Sequence, residues 1–146
     1  MKNTQQIPLN ILLADDDIDD RIFFDKALKE IDITTRLTTV NDGEQLMEYL
    51  YTRLENLPDV IFLDLSMPRK SGFECLAELK ENIKFDEIPI VVFSTSFSKD
   101  LNYELSLMNI LFKIGAADFI RKPRGFPQLK EVIIESLTKI LAKTTA

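Results

Sequence analysis

Short apolar runs alternate along the chain with longer segments in which apolar residues recur every three or four positions. A short apolar run is typical of a buried strand, and the longer period is typical of a helix with one apolar face. Five such pairs predict an α/β protein built from βα units around a parallel sheet. The predicted strands, of which the second has the weakest pattern, are Leu9–Ala14, Arg36–Val40, Asp59–Asp64, Ile88–Ser94 and Ala117–Arg121.

Apolar stripes at helical spacing predict one-sided helices between these strands. In the first, second and fifth helices the stripes are Phe24, Ala27, Leu28 and Ile31; Leu46, Leu50, Leu54 and Leu57; and Phe126, Leu129, Ile133, Leu137 and Ile140. The pairs with capping spacing are Asn41 with Glu44 and Ser71 with Glu74, of which the second matches the capping box. The second and third helices are therefore expected to begin near Asp42 and Gly72, and the fifth to span about 126–142.

The fourth predicted helix, at about 98–114, carries more apolar residues than a helix on a sheet requires. Its two stripes are Leu101, Leu105, Met108 and Phe112, and Leu107, Ile110, Leu111 and Ile114. One stripe is enough to pack against a sheet. Either neighbouring elements cover the whole helix, or one of its faces is a surface for a partner.

Aspartates follow two of the predicted strands at their carboxyl ends. Asp15, Asp16 and Asp17 end the first apolar run, and Asp64 ends the third. The carboxyl ends of parallel strands are where open α/β sheets bind their ligands, so these carboxylates are expected to meet at one edge. A divalent cation would offset the mutual repulsion of these carboxylates, and a site that holds one is suited to phosphoryl chemistry.

The charge of the chain is concentrated at this edge. The formal net charge is −6, which equals the charge of six aspartates, Asp15, Asp16, Asp17, Asp19, Asp20 and Asp64. The remaining residues sum to zero and show no basic stripe, which argues against a nucleic-acid partner.

Length and composition set the domain organisation. A chain of 146 residues predicts a single domain, at residues 8–142, with short polar tails at 1–7 and 143–146 and no room for an output domain. No apolar stretch approaches the roughly 18 residues of a membrane span, and Met1 to Gln6 lack a signal-peptide core. We therefore expect a cytoplasmic protein without a membrane partner. The lone Cys75 fits a reducing compartment and is interpreted as a small buried helix residue.

Two further polar residues end predicted strands at the same edge. Ser94 ends the fourth strand and Lys122 leaves the fifth just before Pro123, so Lys122 can carry an ammonium over the acidic residues. Each also has an ordinary interpretation. A lysine in this position is usually a surface residue, and the run of hydroxyls from Ser94 to Ser96 is typical of turns and helix caps.

Four motifs in order along the chain resemble the receiver domain of two-component response regulators. They are Leu12-Leu13-Ala14-Asp15-Asp16-Asp17; Val60-Ile61-Phe62-Leu63-Asp64-Leu65-Ser66-Met67-Pro68 with Gly72; Val92-Phe93-Ser94; and Gly115-Ala116 with Phe119-Ile120-Arg121-Lys122-Pro123. The resemblance covers roughly Ile11 to Ala142. It implies a flavodoxin-like, doubly wound sheet of five parallel strands in the order 2-1-3-4-5 with five helices, which agrees with the five βα pairs.

The resemblance also implies roles for individual residues. Asp64 is the expected phosphoacceptor and a ligand of Mg²⁺, together with Asp16 and the main-chain carbonyl of Ser66, while Asp15 acts mainly through a bound water. Lys122 and Ser94 are expected to bind the phosphoryl oxygens. Phe119 is either a switch aromatic coupled to Ser94 or plain packing. Asp17 is interpreted as a solvated charge at the start of a helix, and Asp19 and Asp20 as charges that favour the positive end of that helix.

By the same resemblance the protein is a stand-alone response regulator in a phosphorelay. Its expected partners are a sensor histidine kinase or a histidine phosphotransfer protein and an unidentified downstream protein. The segment between Ser94 and Lys122 is longer than in a compact receiver, and its apolar surplus suggests a homodimer or partner surface on the fourth and fifth helices. The protein is not expected to be an enzyme beyond slow loss of its own phosphoryl group.

Three other functions fit these residues less well. A docking module with a receiver fold that works without phosphorylation would not need the acids and Lys122, which are retained. A phosphatase of the haloacid dehalogenase type needs a second Asp two residues after the nucleophile, where this chain has Ser66. A flavodoxin needs a phosphate-binding loop after the first strand, where this chain has aspartates that repel phosphate.

Overall fold

The computed structural model describes residues 7–95 and 100–144, and these residues form five strands and five helices in strict alternation. The elements are β1 (Leu9–Ala14), α1 (Ile18–Glu30), β2 (Thr35–Val40), α2 (Gly43–Tyr51), β3 (Val60–Leu63), α3 (Gly72–Glu81), β4 (Ile90–Ser94), α4 (Leu101–Ile114), β5 (Asp118–Arg121) and α5 (Phe126–Thr144). Every predicted pair of strand and helix is present. In the part of the chain described, no helix combines the length and the hydropathy that a membrane span requires.

The five strands form one parallel sheet in the order β2-β1-β3-β4-β5. This confirms the order implied by the resemblance. The register pairs Ala14 with Leu63, the last residues of β1 and β3, so Asp15 and Asp64 leave the sheet side by side. It also pairs Ser94 with Arg121, the last residues of β4 and β5, so Lys122 leaves the sheet next to Ser94.

Alternate residues of each strand pack into two separate cores, one on each face of the sheet. The core under α2, α3 and α4 contains strand residues such as Leu12, Ile61 and Val92. The core under α1 and α5 contains their strand neighbours, such as Leu13 and Phe62. Burial of each large apolar side chain contributes about 1.5–3 kcal/mol, so both layers fix the sheet that carries the site.

The predicted second stripe was wrong beyond Leu50, because α2 ends at Tyr51. Thr52 caps the end of the helix, and its hydroxyl donates to the carbonyl oxygens of Glu48 and Tyr49. Leu54 is consequently exposed, and Leu57 packs against the core from the connection to β3.

One helix cap was predicted correctly and one was displaced by a residue. Ser71 and Glu74 form the expected capping box at the start of α3. At α2 the cap is Asp42, whose carboxylate accepts the amide of Gln45, while Asn41 donates its amide to the Gln45 side chain. The prediction that Asn41 pairs with Glu44 was therefore wrong, although α2 does begin next to Asp42.

The strand ends differ slightly from the prediction. β2 begins one residue earlier, at Thr35, and α5 continues to Thr144. β3 excludes the flanking Asp59 and Asp64, and β4 and β5 begin later than predicted, at Ile90 and Asp118. Pro89 lacks the amide that a ladder position needs, which fits the later start of β4. Cys75 is buried on α3, as interpreted from the sequence.

Only part of the apolar surface of α4 packs against the sheet. The predicted start at Ser98 lies outside the described residues, and α4 begins at Leu101 behind the cap Asp100. Leu111 is buried, and Leu107 and Ile114 pack against the core. The other large apolar side chains that lie exposed on this helix are Leu101, Tyr103, Leu105, Ile110 and Phe112. The interpretation that neighbouring elements cover the whole helix was therefore wrong for the single chain.

Gly72 ties α3 to the backbone that follows β3. A Cβ at this position would lie 2.2 Å from the Asp64 carbonyl oxygen and 2.6 Å from the Leu65 Cα, and both neighbours are backbone atoms. We predict that Gly72→Ala destabilises the protein by about 2 kcal/mol or more, even though alanine favours a helix by about 1 kcal/mol. Chemical denaturation measures the difference in the free energy of unfolding.

The matched control is Gly125→Ala, whose Cβ would meet only the flexible side chain of Gln128. That change should cost under about 1 kcal/mol. Equal stability of the Gly72→Ala variant and the wild type would contradict the close approach of α3 to Asp64.

Candidate functional site

Three carboxylates from two strand ends meet at the carboxyl edge of the sheet. Asp15 follows β1 and is fully buried, Asp64 follows β3 and is 4% exposed, and Asp16 is exposed to solvent. One carboxylate oxygen from each of the three lies within 4.8 Å of the others. The adjacency of β1 and β3 in the sheet is what brings Asp15 and Asp64 together.

The loop after β1 is held by its own polar groups. Asp17 caps α1 by accepting the amides of Asp19 and Asp20 at 2.9 and 3.2 Å. The amide of Asp17 donates to Asp15 Oδ1 at 3.0 Å. Asp17 is thus turned to the helix and away from the three carboxylates, which agrees with its interpretation as a charge at a helix start.

Arg21 makes a hydrogen bond that the sequence did not predict. Its Nη1 atom donates to the main-chain carbonyl of Asp15 at 2.8 Å. Arg21 lies one turn into α1, and this bond fastens the helix to the backbone that carries the buried carboxylate. The sequence offered no signal for the bond beyond the proximity of an arginine to the acidic run.

Lys122 reaches back over the edge of the sheet to the carboxylates. Its Nζ atom lies 2.8 Å from Asp15 Oδ2 and 3.3 Å from Asp64 Oδ2. A third carboxylate, Asp20 Oδ2 on α1, also lies 2.8 Å away. The main-chain amide of Lys122 donates to the Ser94 carbonyl at 2.8 Å, and its ammonium lies 5.5 Å from the centre of the Phe93 ring. Lys122 is therefore anchored at its backbone and at its charged end.

The role of Asp20 was missed in the sequence interpretation, which assigned this residue only to the helix dipole. Its position in the first turn of α1 is consistent with an effect on the helix dipole. Its carboxylate also accepts a hydrogen bond from the Lys122 ammonium. The pairing depends on the tertiary placement of α1 against the end of β5, which a local pattern does not encode.

The protonation of Asp15 and Lys122 reflects their burial and their contact. Burial raises the pKa of Asp15 to about 6, although Lys122 and the amide of Asp17 both lower it. Burial alone would lower the pKa of Lys122, but its hydrogen bonds with Asp15 and Asp20 outweigh this and raise the pKa above its usual value. Lys122 therefore stays charged, and ionisation of Asp15 costs the folded protein free energy.

Asp64 receives two hydrogen bonds on one oxygen. Ser94, which is fully buried, donates its hydroxyl to Asp64 Oδ1 at 3.1 Å, and the Ser66 amide donates to the same atom at 3.2 Å. Asp64 Oδ2 faces Lys122 instead. The expected residues Asp64, Ser94 and Lys122 are thus in mutual contact, and Ser66 lies beside them with its side chain exposed. Ser96, the last of the three hydroxyl residues, lies outside the described part of the chain.

Phe119 lies on β5, and β4 separates it from β3, the strand that Asp64 follows. It pairs with Val92 in the sheet register and packs, partly buried, against the core under α4. This position places it between the sheet and α4 and fits both of the interpretations made from the sequence. Its role as a switch residue stays a prediction.

The carboxylates fit a divalent cation. Asp15 Oδ2 is buried and accepts no well-aligned hydrogen bond from any described residue, and its contact is the ion pair with Lys122. Among the described charges, one ammonium contacts three carboxylates, those of Asp15, Asp20 and Asp64, and Asp16 adds a fourth carboxylate to the cluster. Carboxylate oxygens are preferred ligands of Mg²⁺, which commonly binds a few of them and keeps several waters.

Comparison with known sequences identifies the family. Residues 11–134 match the response regulator receiver domain. This chain belongs to that family. The response regulator Rcp1 of Synechocystis sp. is 36% identical to this receiver over 120 residues, which cover 77% of this chain and 82% of Rcp1. The two-component response regulator ARR6 of Arabidopsis thaliana is 29% identical over 91% of this chain and 71% of its own.

Solved structures agree with this assignment. The phosphorylated cyanobacterial phytochrome response regulator RcpA has a TM-score of 0.74 at 30% identity, over 87% of this chain and 89% of its own. The Mn²⁺-bound form of Rcp1 has a TM-score of 0.73 at 30% identity, over 86% and 89% of the two chains. The resemblance stated from the motifs is confirmed, and this protein is a receiver-domain response regulator of two-component signalling.

We predict that Asp15→Asn stabilises the metal-free receiver at pH 7.5. The pKa of Asp15 is raised from 3.8 to about 6, so its contribution to stability is full below the unfolded pKa and is lost as pH rises through the folded pKa. A displacement of this size corresponds to at most about 3 kcal/mol, and we expect a gain of about 1–3 kcal/mol in the free energy of unfolding. Urea denaturation in EDTA at pH 7.5 measures it.

The gain should shrink towards pH 5, where the carboxyl of Asp15 is already largely protonated. Asp19→Asn, which removes an exposed charge from the same helix turn, should change stability by under about 0.5 kcal/mol. A variant less stable than the wild type at pH 7.5, or an equal gain at both pH values, would count against the burial cost of this carboxylate.

Proposed function

We propose that this receiver accepts a phosphoryl group on Asp64 from the phosphohistidine of a histidine kinase or phosphotransfer protein. The observation that carries the proposal is the convergence of Asp15, Asp16, Ser94 and Lys122 on this one strand-end carboxylate. An Asp64 oxygen would form the new bond to phosphorus as the bond between phosphorus and the histidine nitrogen breaks. The imidazole keeps the electron pair as the leaving group.

The trio of carboxylates is proposed to hold Mg²⁺. Asp16 and Asp64 would be direct ligands with the main-chain carbonyl of Ser66, and Asp15 would act mainly through a bound water. When bound, the cation would offset the negative charge on the phosphoryl oxygens during transfer. The Mn²⁺-bound form of the similar protein Rcp1 supports a divalent cation in this family.

Lys122 and Ser94 are proposed to bind the transferred group. Both already contact Asp64, Ser94 at Oδ1 and Lys122 at Oδ2, so each lies within reach of oxygens added beyond either carboxylate atom. Lys122 would contribute a charge-assisted hydrogen bond and Ser94 a neutral one. The phosphorylated form of the structurally similar RcpA supports phosphorylation of such a site.

The signal is proposed to leave the site through β5 and α4. Arg121 directly precedes Lys122, pairs with Ser94 in the sheet, and forms an ion pair with Glu104 of α4. Glu104 is one of two buried residues on α4, the other being Leu111. A shift of Ser94 or Lys122 towards a phosphoryl group would therefore change the setting of this ion pair and bias the position of α4.

The exposed apolar face of α4 is proposed as the surface that changes partners, either a second copy of the chain or a downstream protein. Leu101, Leu105 and Phe112 lie on one side of the helix at helical spacing, and all three are exposed. An exposed apolar stripe of this kind favours association. The alternative function, a docking module that needs no phosphorylation, would use the same face, so the two functions differ in whether Asp64 is modified.

Phosphorylation of Asp64 is the test of the proposed function. With Mg²⁺ and acetyl phosphate or phosphoramidate, we predict that the intact mass of the receiver increases by one phosphoryl group, and that omission of Mg²⁺ suppresses the adduct. Asp64→Asn, which is nearly isosteric, should show no adduct under the same conditions. An adduct that persists in this variant would mean that another residue accepts the phosphoryl group, and the absence of an adduct from any donor would favour the docking module.

Self-association through α4 is the second test. Leu105 is 48% exposed on α4, and we predict that Leu105→Asp weakens association of the phosphorylated receiver by about tenfold or more, because the aspartate would be desolvated in an apolar contact. Sedimentation velocity over a range of concentrations measures the dissociation constant.

The matched control is Leu54→Asp, since Leu54 is 43% exposed but lies after α2. It should associate like the wild type. If the wild type stays monomeric at every concentration in both phosphorylation states, the homodimer is excluded and the face is left for a different protein.

A further inference from the structure

The ammonium of Lys122 contacts three carboxylates, and one of them lies outside the proposed cation site. Asp15 and Asp64 belong to the trio that can hold a cation, whereas Asp20 does not. The ammonium is as close to Asp20 as to Asp15, at 2.8 Å, and is farther from Asp64, at 3.3 Å. Its shortest contacts are therefore shared between a cation-site carboxylate and one outside that site.

We propose that Asp20 is a positioning residue, which retains Lys122 when a divalent cation occupies the carboxylates of Asp15, Asp16 and Asp64. The inference rests on the cation site of the proposed function and extends it to a residue of α1. It concerns how the receiver makes its carboxylates available, rather than the transfer of the phosphoryl group.

Lys122 and a cation would compete for the same carboxylates. The Lys122 ammonium lies against Asp15 Oδ2 and Asp64 Oδ2. An ammonium at these atoms repels an incoming divalent cation, and it offsets the negative charge that would attract one. Cation binding therefore requires Lys122 to loosen its hold on at least one of the two.

An ammonium displaced from the buried carboxylates would need another partner. The side chain of Lys122 is only 10% exposed, and its ammonium lies 5.5 Å from the centre of the Phe93 ring, so release into water is restricted. A charge left unpaired in such a place is strongly unfavourable. Among the residues that the structure describes, Asp20 is the one carboxylate that contacts Lys122 and stands outside the cation site.

Asp20 is partly accessible to water. Its side chain is 34% exposed, whereas Asp15 is fully buried, so water can solvate an ion pair of Asp20 with Lys122. Asp20 can consequently keep the ammonium while the buried carboxylates turn to a cation. Without Asp20, Lys122 would have to stay on Asp15 and Asp64 and repel the cation.

The experiment is a double-mutant cycle on the full chain, read out as the dissociation constant for Mg²⁺ by isothermal titration calorimetry without any phosphoryl donor. We expect Asp20→Asn to weaken Mg²⁺ binding by about three- to tenfold at constant ionic strength. Asp19→Asn removes the same charge from the neighbouring exposed position and should change the constant by under about twofold. Asp20→Glu, which keeps the charge, should restore part of the loss.

The cycle is completed in a Lys122→Met background. There the ammonium no longer competes, so Mg²⁺ should bind more tightly than in the wild type, and Asp20→Asn should have no larger effect than Asp19→Asn. Circular dichroism of each variant verifies that it is folded, and if Asp20→Asn does not fold, Asp20→Ser takes its place in the cycle.

Two results would overturn the inference. Equal effects of Asp20→Asn and Asp19→Asn in the presence of Lys122 would reduce Asp20 to a general surface charge. An undiminished effect of Asp20→Asn in the Lys122→Met background would mean that Asp20 acts on the cation directly.

The failure of this inference can be distinguished from failure of the proposed function. If the wild type binds Mg²⁺ and forms the Asp64 adduct while the two asparagine variants behave alike, the role of Asp20 falls and the proposed function stands. If Mg²⁺ binds with the expected coupling but Asp64 forms no adduct, phosphorylation falls and the role of Asp20 stands. If the wild type binds no Mg²⁺, both fall.

Discussion

The ion cluster around Lys122 is the interaction on which the site and its connections depend. One ammonium lies within 3.3 Å of carboxylates from the β1 end, the β3 end and α1. These groups are far apart in the sequence and meet only because the strand order places β1 beside β3 and the end of β5 within the length of a lysine. Loss of Lys122 would leave the buried carboxylates of Asp15 and Asp64 without their ion pair, which makes the position of β5 a constraint on the whole cluster.

The cluster is also poorly satisfied, and this is what suits it to signalling. Asp15 is buried at a cost that raises its pKa, and the one described ammonium is shared among three carboxylates. A group that adds or removes charge at such a place shifts the balance between arrangements more than it would at a neutral surface. The neighbouring ion pair of Arg121 with Glu104 joins α4 to the strand that precedes Lys122.

The sequence predicted those features that depend on the strand pattern and missed those that depend on tertiary placement. Asp15, Asp64, Ser94 and Lys122 could be placed together because apolar runs end at each of them, and parallel strands align their carboxyl ends. The contacts of Asp20 and Arg21 depend on how α1 packs, which its apolar stripe does not specify. α2 ended at Tyr51 although the leucine spacing continues to Leu57, so apolar spacing alone did not locate the end of this helix.

Lys122 offsets only part of the negative charge of the carboxylate cluster, and a divalent cation is expected to offset more of it. The most direct test is the thermal midpoint of unfolding, in EDTA and at rising Mg²⁺ with ionic strength constant, for the wild type and Lys122→Met. The account predicts that Lys122→Met melts below the wild type in EDTA, that Mg²⁺ raises both midpoints, and that Lys122→Met gains more. A wild-type midpoint unchanged by Mg²⁺, or a Lys122→Met protein more stable than the wild type in EDTA, would contradict it.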